Sequence, residues 1–204
     1  MNLHRPLIVV SILAALVVLG LVVLTVRDAI HPSVRIVGDA TYERDIYGKL
    51  RSGNPSERAD AIHHLALPID THRDLEPALG SLRSDPSILV RKTAANSLRI
   101  VLFDEAYYSA RLPGAAPGLS QNQARRIYLA LLNAMAEDPS AKVRIAAAYN
   151  IDDTLAAWRS TTSDGLYQYA KRTSNPYLKK ALRDPDDLVR GKARSALKVL
   201  ASSG

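Results

Sequence analysis

The sequence predicts an all-α chain, with an N-terminal transmembrane helix followed by a short α-solenoid of about four helical hairpins. Three observations predict this fold. Residues 7–26 form an apolar run without a charge, an Asp-Pro phrase recurs in phase three times between residues 85 and 197, and a second helical segment precedes each copy. One helical hairpin cannot bury its apolar face alone, so recurring hairpins are expected to stack on one another.

The composition excludes several classes of protein. The chain has 204 residues, of which 47% are apolar and 23% are charged, and its formal net charge is +7. It is too apolar for a wholly disordered chain. It contains no cysteine, which excludes a disulfide scaffold, a cysteine-ligated zinc finger and a cysteine enzyme.

Residues 7–26 read LIVVSILAALVVLGLVVLTV and predict a membrane anchor. At about 1.5 Å per residue a helix of this length spans about 30 Å, the thickness of the bilayer core. A cleaved signal peptide would have a shorter apolar region and small residues at its cleavage site, where this chain has Arg27 and Asp28. We therefore expect a single-pass anchor, with a cleaved signal and a buried soluble helix as alternatives.

The charges that flank the anchor favour one orientation only weakly. The six-residue tail, residues 1–6, carries Arg5 and the α-amino group, and the other flank carries Arg27, Arg35 and Arg44. The positive-inside count is nearly balanced. A short basic tail in the cytosol suits an extracytoplasmic domain, which we expect to follow a linker over residues 27–40.

The repeated phrase occupies residues 41–201 together with its preceding helices. The three in-phase copies are DPSILVRKTAANSL at 85–98, DPSAKVRIAAAYNI at 138–151 and DPDDLVRGKARSAL at 184–197. Asp at the N-cap and Pro at the first helical position would start a helix, and Val189, Ala193 and Leu197 would then share one face. A weaker copy, NPSERADAIHHL at 54–65, lacks two residues between its Pro and its Arg.

These copies resemble HEAT repeats, in the variant described as phycobilin-lyase-like. The resemblance rests on Asp-Pro followed by Val-Arg in each copy, and it covers about residues 41–201. It implies that the Asp of one repeat and the Arg six residues later form hydrogen-bonded ladders between neighbouring repeats, which assigns a structural role to Asp85, Arg91, Asp138, Arg144, Asp184 and Arg190. The family is defined by its architecture, so the resemblance does not specify an activity.

Two insertions interrupt the repeats and contain six of the eleven aromatic residues. Residues 103–120 include Phe103, Tyr107 and Tyr108, and residues 156–175 include Trp158, Tyr167 and Tyr169. Insertions in a solenoid often lie on the binding edge, and Tyr and Trp are favoured at interfaces. Tyr107, Tyr108, Trp158, Tyr167 and Tyr169 are therefore candidate partner contacts, with packing between repeats as the alternative.

The basic character is concentrated at residues 171–204, which hold nine Lys and Arg against three Asp. Arg190, Arg194 and Lys198 recur every four residues, and Lys179 and Lys180 lie on the preceding helix. Lys179, Lys180, Arg194 and Lys198 could contact an acidic protein, anionic lipid or nucleic acid. They could also form the polar outer face that a terminal repeat needs for solubility.

No motif for catalysis, a cofactor or a metal rises above chance. The histidines His63, His64 and His72 lie near Asp60, Asp70 and Asp74, but adjacent helical histidines point about 100° apart and rarely share an ion. The pairs Asp152-Asp153 and Asp186-Asp187 diverge in the same way. We expect neither a catalytic site nor a cofactor.

The expected function is that of a membrane-anchored scaffold, adaptor or accessory subunit, because repeat solenoids act mostly through extended surfaces. Its partner would be a protein near the membrane or a multi-subunit membrane complex, rather than nucleic acid. Two alternatives remain: a lyase-like accessory role for a pigment or cofactor protein, and binding of anionic lipid or nucleic acid by the C-terminal repeat.

Overall fold

A computed structural model describes residues 40–66, 74–108, 119–160 and 164–202. These residues form helices and turns without a strand, so the all-α class is confirmed. The helices are α1 (Ala40–Leu50), α2 (Pro55–Ala66), α3 (Glu76–Ser84), α4 (Ile88–Tyr108), α5 (Gln121–Glu137), α6 (Ala141–Ser160), α7 (Asp164–Thr173), α8 (Asn175–Ala181) and α9 (Asp187–Ala201).

The predicted anchor at residues 7–26 lies outside the described residues. Among the residues that are described, no helix combines the length and the hydropathy needed to cross a bilayer. Residues 43–204 form one compact unit by their internal contacts, and the packing described below is that of this unit.

The Asp-Pro phrase ends one helix before the next begins. Asp85 is extended, with φ −65° and ψ 132°, and its N–H still donates to the carbonyl of Ser81 in α3. Asp138 does the same after α5, with φ −62° and ψ 132°. A following proline disfavours the helical region for the residue before it, so α3 and α5 end at this position, whereas α8 already ends at Ala181.

The predicted helix start was wrong by two residues in the three in-phase copies. The first backbone hydrogen bonds of the second helices are accepted by Ser87, Ser140 and Asp186, which lie two residues after the Asp of each phrase. Each Asp instead accepts a hydrogen bond from the N–H at these positions, at 2.8 Å in all three copies. The Asp-Pro phrase is therefore a turn that leads into the helix, and the N-cap is the residue after the Pro.

The helices pack in two layers. The second helices of the hairpins, α2, α4, α6 and α9, lie side by side in chain order, and α3, α5 and α8 pack on one another as the first helices. The predicted apolar stripes face the core: Val90, Ala94, Leu98, Val143, Ala147, Ile151, Val189 and Ala193 are each 0% exposed. Alanine at the middle of every stripe keeps it thin, which lets neighbouring helices approach closely.

The two predicted insertions are partly helical. Helix α4 continues to Tyr108, six residues into the first insertion, and α6 continues to Ser160 in the second. Helix α7 then fills much of the second insertion, where Leu166, Tyr167 and Ala170 form its buried side. Their spacing matches one face of a helix, so the second insertion adds to the core as well as to the surface.

Trp158 lies inside the core. It is 1% exposed, and its ring packs against that of Tyr128 in α5 with centroids 5.0 Å apart. The Tyr128 hydroxyl is hydrogen-bonded to Ser174 Oγ at 2.7 Å, at the start of α8. Trp158 and Tyr128 therefore connect α5, α6 and the α7–α8 junction.

Replacing Trp158 tests this packing. We expect Trp158→Ala to lower the free energy of unfolding by about 3–5 kcal/mol, because it opens a cavity in a close-packed core. Tyr149→Ala is the matched control on the same helix, since Tyr149 is 40% exposed and its loss should cost about 1 kcal/mol or less. Urea unfolding of the full chain in mild detergent, followed by circular dichroism, measures both. Equal losses in the two variants would contradict the packing described here.

Candidate functional site

Arg91 connects two turns with one guanidinium group. Its Nη1 donates to the carbonyl oxygens of Asp85 and Pro86 in its own hairpin, at 2.8 and 3.3 Å. Its Nε and Nη2 donate to both carboxylate oxygens of Asp138 in the next hairpin, at 2.8 and 3.1 Å. This bidentate geometry uses the planar fork of arginine, which lysine cannot reproduce.

The same arrangement recurs on either side. Arg144 donates to both carboxylate oxygens of Asp184 at 2.6 and 3.2 Å, and to the carbonyl of Asp138 at 2.9 Å. Arg58 donates to both oxygens of Asp85 at 2.9 and 3.0 Å. Three Arg–Asp pairs therefore form a continuous row along one edge, which we call the ladder. The structure brings together Asp85, Arg91, Asp138, Arg144 and Asp184, to which the resemblance to HEAT repeats assigns a ladder.

The first hairpin enters the ladder through residues that the sequence repeat did not reveal. Arg58 Nη1 donates to the carbonyl of Ser52, six residues earlier, at 2.8 Å. The Ser52 hydroxyl accepts a hydrogen bond from the N–H of Asn54 at 3.0 Å. The carboxylate of each ladder Asp likewise accepts a hydrogen bond from the N–H two residues later. Ser52 thus takes the place of the ladder Asp, and Asn54 is the N-cap. The match of Asn-Pro-Ser to Asp-Pro-Ser hid this two-residue offset.

Burial makes the ladder electrostatically strong. The side chains of Arg91 and Asp138 are only 10% and 5% exposed, and those of Arg144 and Asp184 are 12% and 8% exposed. Burial alone would raise the pKa of Asp184, but hydrogen bonds from Arg144 and from the Asp186 N–H outweigh it, so this pKa is lowered. The pKa of Asp85 is lowered in the same way by Arg58 and the Ser87 N–H.

Arg190 makes the same contacts with its own turn as the ladder arginines do. Among the described residues, no later hairpin places a carboxylate opposite it. Its Nη1 donates to the carbonyl oxygens of Asp184 and Pro185 at 2.5 and 2.8 Å. Its Nη2 contacts the exposed Asp187 on its own helix. The Arg190 side chain is 26% exposed, about twice the value for Arg144. Arg194 and Lys198 follow on the exposed side of α9.

The paired carboxylates Asp152 and Asp153 diverge, as the sequence predicts, and each reaches a different neighbour. Asp152 accepts from Lys192 of α9 at 2.8 Å, and Asp153 pairs with Arg99 of α4 at 2.8 Å. The side-chain amide of Asn150 also donates to the Ala95 carbonyl of α4 at 2.9 Å. These contacts hold α6 between two second helices, and they leave no acid–base pair.

The candidate aromatic contacts separate into three groups. Trp158 and Tyr167 are buried, at 1% and 5% exposed, so their assignment as partner contacts was wrong: the first packs on Tyr128 and the second donates its hydroxyl to the Val199 carbonyl at 2.8 Å. Tyr169 is half-buried beneath the Arg125 guanidinium, 5.3 Å from the ring centroid. The side chains of Tyr107 and Tyr108 lie outside the described residues.

Two open grooves follow the ladder edge between the first helices. The groove between α3 and α5 has a volume of about 530 Å³ and includes Arg83, Asn133 and Glu137 in its lining. The groove between α5 and α8 has a volume of about 870 Å³ and is lined in part by Lys179 and Lys180. Both grooves include Glu137, which pairs with Lys180 across the second one. The candidate contacts Lys179 and Lys180 therefore lie in an exposed groove whose lining mixes four cations with three carboxylates.

The histidines form no metal centre among the described residues, where no group of three or more His, Asp or Glu side chains could hold one ion. His63 and His64 are neighbours on α2, and His64 Nε2 lies 3.4 Å from an Asp60 oxygen one turn earlier. Asp74 instead accepts a hydrogen bond from Tyr47 at 2.7 Å. His72 and Asp70 lie outside the described residues.

Comparison of the chain with protein-family models, with curated proteins and with solved structures finds no match. The contacts and charges of the chain itself therefore carry the functional proposal.

Removing one ladder arginine tests how strongly the ladder stabilises the fold. We expect Arg91→Ala to lower the free energy of unfolding by about 3 kcal/mol, because it leaves the buried Asp138 carboxylate without its cation. Arg91→Lys keeps the charge but loses the fork, so its loss should be intermediate. The matched control Arg83→Ala, at an exposed position, should change stability by about 0.5 kcal/mol or less. Urea unfolding measures all three, and equal effects of Arg91→Ala and Arg83→Ala would contradict a stabilising ladder.

Acid should weaken the ladder in a defined direction. Because the pKa of Asp85 is lowered from 3.8 in the folded protein, its stabilisation is present above that value and is lost as the pH falls through the folded pKa. We expect Asp85→Asn to be less stable at neutral pH and to lose less additional stability below about pH 4. Glu57→Gln, at an exposed position, is the control. Unfolding midpoints between pH 2 and 7 test this, and parallel curves for wild type and Asp85→Asn would contradict it.

Proposed function

We propose that this chain is a membrane-anchored HEAT-repeat scaffold or accessory subunit, which binds a protein partner near the membrane. Residues 7–26 would be the anchor, and the helical unit would lie on the extracytoplasmic side. The observation that carries the proposal is the ladder, which holds successive hairpins in a fixed register and leaves exposed grooves along one edge. An extended, rigid surface of this kind suits binding of a macromolecule.

The Arg–Asp contacts also support the HEAT-repeat resemblance. At each of the three Arg–Asp pairs, the arginine donates through Nη1 to a carbonyl group of its own turn. It donates through Nε and Nη2 to the carboxylate of the Asp in the next hairpin. The second helices α2, α4, α6 and α9 stack in chain order, as the hairpins of an α-solenoid do. We propose this architecture from the recurrence of one contact geometry.

A binding role is more consistent with the charged surface than a catalytic one. The charged groups that are buried are paired across helices: Arg91 with Asp138, Arg144 with Asp184, and Asp152 with Lys192. Buried titratable groups in an active site are typically held near a cavity that can admit a substrate. Here the paired charges of the ladder lie along an open edge. No specific residue favours the alternative of an accessory role for a pigment or cofactor protein.

The groove between α5 and α8 is the proposed contact for the partner. Lys179 and Lys180 are exposed on α8, and the groove volume of about 870 Å³ can accommodate several side chains of a bound segment. The exposed Lys179, Lys180 and Arg183 of this lining favour a partner with acidic groups, since charge complementarity increases the association rate and selects against basic surfaces. The Lys180–Glu137 pair is exposed and contributes little to stability, so it can be exchanged for a contact with the partner.

Purification from native membranes tests the proposal. We expect the full chain, extracted in mild detergent, to carry a stoichiometric protein partner that remains bound at moderate salt. Lys179→Glu with Lys180→Glu should reduce partner recovery about tenfold, because two attractive contacts become repulsive. The matched control is Lys92→Glu with Lys142→Glu, an equal change of charge at exposed positions of α4 and α6.

Composition by mass spectrometry and native mass give the outcome. Circular dichroism should show the same helicity for wild type and both variants. A chain that is recovered alone at moderate salt would contradict the adaptor proposal. Retention of only lipid or nucleic acid at low salt would favour the alternative in which the C-terminal basic residues bind an anionic surface.

A further inference from the structure

Three basic residues of α9, Arg190, Arg194 and Lys198, form a stripe along one face. They occupy the helical positions through which α4 and α6 each pack on the next second helix. Counting from the ladder arginine, these are the arginine itself and the residues four and eight positions later. On α4 they are Arg91, Ala95 and Arg99, and on α6 they are Arg144, Ala148 and Asp152. On α9 they are Arg190, Arg194 and Lys198.

On α4 and α6 these positions are covered by the next hairpin. Ala95 and Ala148 are 0% and 1% exposed, and the Ala95 carbonyl accepts the Asn150 amide. Arg99 pairs with Asp153 of α6, and Asp152 pairs with Lys192 of α9. This face of a second helix therefore makes one ladder contact, one close helix–helix contact and one ion pair with its neighbour.

On α9 the same face is uncovered by any described residue. Arg194 and Lys198 are exposed, and a Cβ atom built on Gly191 would meet no atom within 4 Å. Leu197 is only half-buried, whereas Leu98 and Ile151 at the equivalent position are 0% exposed. The face thus combines three cations at intervals of about 6 Å with an incompletely buried leucine.

We propose that an acidic helix of the partner protein docks on this face of α9 and continues the row of second helices. One carboxylate would accept the Nε–Nη2 edge of Arg190, as Asp184 does for Arg144, and two more would face Arg194 and Lys198. This inference rests on the proposed binding function and names the chemistry of the partner. A cation that is buried in an interface loses its hydration, which is unfavourable unless it is paired with an anion. Three neighbouring cations therefore favour a docked helix that carries carboxylates.

A second copy of this chain fits the face less well. At the position of the ladder Asp, the α2 side of the molecule carries Ser52, which has no carboxylate for Arg190. Of the two acidic residues on α2, Asp60 lies 3.5 Å from Lys49 and 3.4 Å from His64, and Glu57 lies in the first turn, outside the position of the ladder Asp. Stacking of one copy on another would therefore supply no ladder carboxylate to Arg190, which would keep the contact that it makes with Asp187 on its own helix.

A designed peptide pair tests the inference directly on the full chain in a neutral detergent. The first peptide is an alanine-rich helix with Asp or Glu at three positions spaced four residues apart. The second has the same composition with its acidic residues scattered around the helix. Fluorescence anisotropy of the labelled peptides gives the affinities. We expect the spaced peptide to bind about tenfold more tightly than the scattered one, because only its carboxylates can meet all three cations.

Variants locate the binding face. Arg194→Glu with Lys198→Glu should weaken binding of the spaced peptide about tenfold or more, whereas Lys92→Glu with Lys142→Glu should leave it unchanged. Arg190→Lys keeps the charge but loses the fork, so it should weaken binding by a factor of about three. Equal binding of the two peptides would overturn the inference, as would complete displacement of the spaced peptide by short-chain phosphatidylserine.

Two further outcomes separate this inference from the adaptor proposal. Self-association of the full chain that is abolished by Arg194→Glu with Lys198→Glu would assign the face to a second copy and overturn the inference. A protein partner from native membranes that binds the same double variant undiminished would overturn docking on α9, while the adaptor function would stand. Selective binding of the spaced peptide by a chain that carries no partner in membranes would support the face and contradict the adaptor proposal.

Discussion

The arrangement of this molecule depends on one guanidinium group that is shared between two turns. Each ladder arginine is fixed by the carbonyl groups of its own turn, so its Nε–Nη2 edge can meet the next Asp in only one register. A buried ion pair adds little net stability compared with a well-packed apolar contact, but breaking it is costly. The ladder therefore specifies the spacing of the hairpins, and the apolar stripes supply most of the stabilisation.

A fixed register determines which other side chains can meet. Once Arg144 lies on Asp184, the helices α6 and α9 are aligned so that Asp152 reaches Lys192, and Ala148 is covered at the contact. On the other side of α6, Asp153 and Asn150 reach α4. These contacts agree with one another, so the ladder and the second-helix interface reinforce a single packing arrangement.

The local repeat made the all-α class and the apolar stripes predictable, because each depends on spacing along one helix. The ladder residues were expected from the resemblance to HEAT repeats, since their contacts join different hairpins. The helix starts were harder to predict, because Asp-Pro matches the pattern of an N-cap Asp followed by Pro in the first turn. In the structure the Pro instead holds the Asp before it in an extended conformation. The burial of Trp158 was one of two alternatives that the sequence left open, because its partner Tyr128 lies 30 residues earlier and is brought close only by packing of α5 on α6. Ser52 was hidden by a chance local match.

The charge pattern on the three second-helix faces argues that α9 meets a different environment from α4 and α6. Solubility requires polar side chains, and a mixture of Lys and Glu would supply them while also forming favourable pairs one turn apart. Instead Arg190, Arg194 and Lys198 place like charges at successive turns, which destabilises an isolated helix by a few tenths of a kcal/mol per pair. Among the described residues, the exposed Asp187 forms an ion pair with Arg190, at one end of this row of charges. A face of one sign is stabilised when carboxylates lie opposite it, just as the ladder arginines are stabilised along the rest of the row.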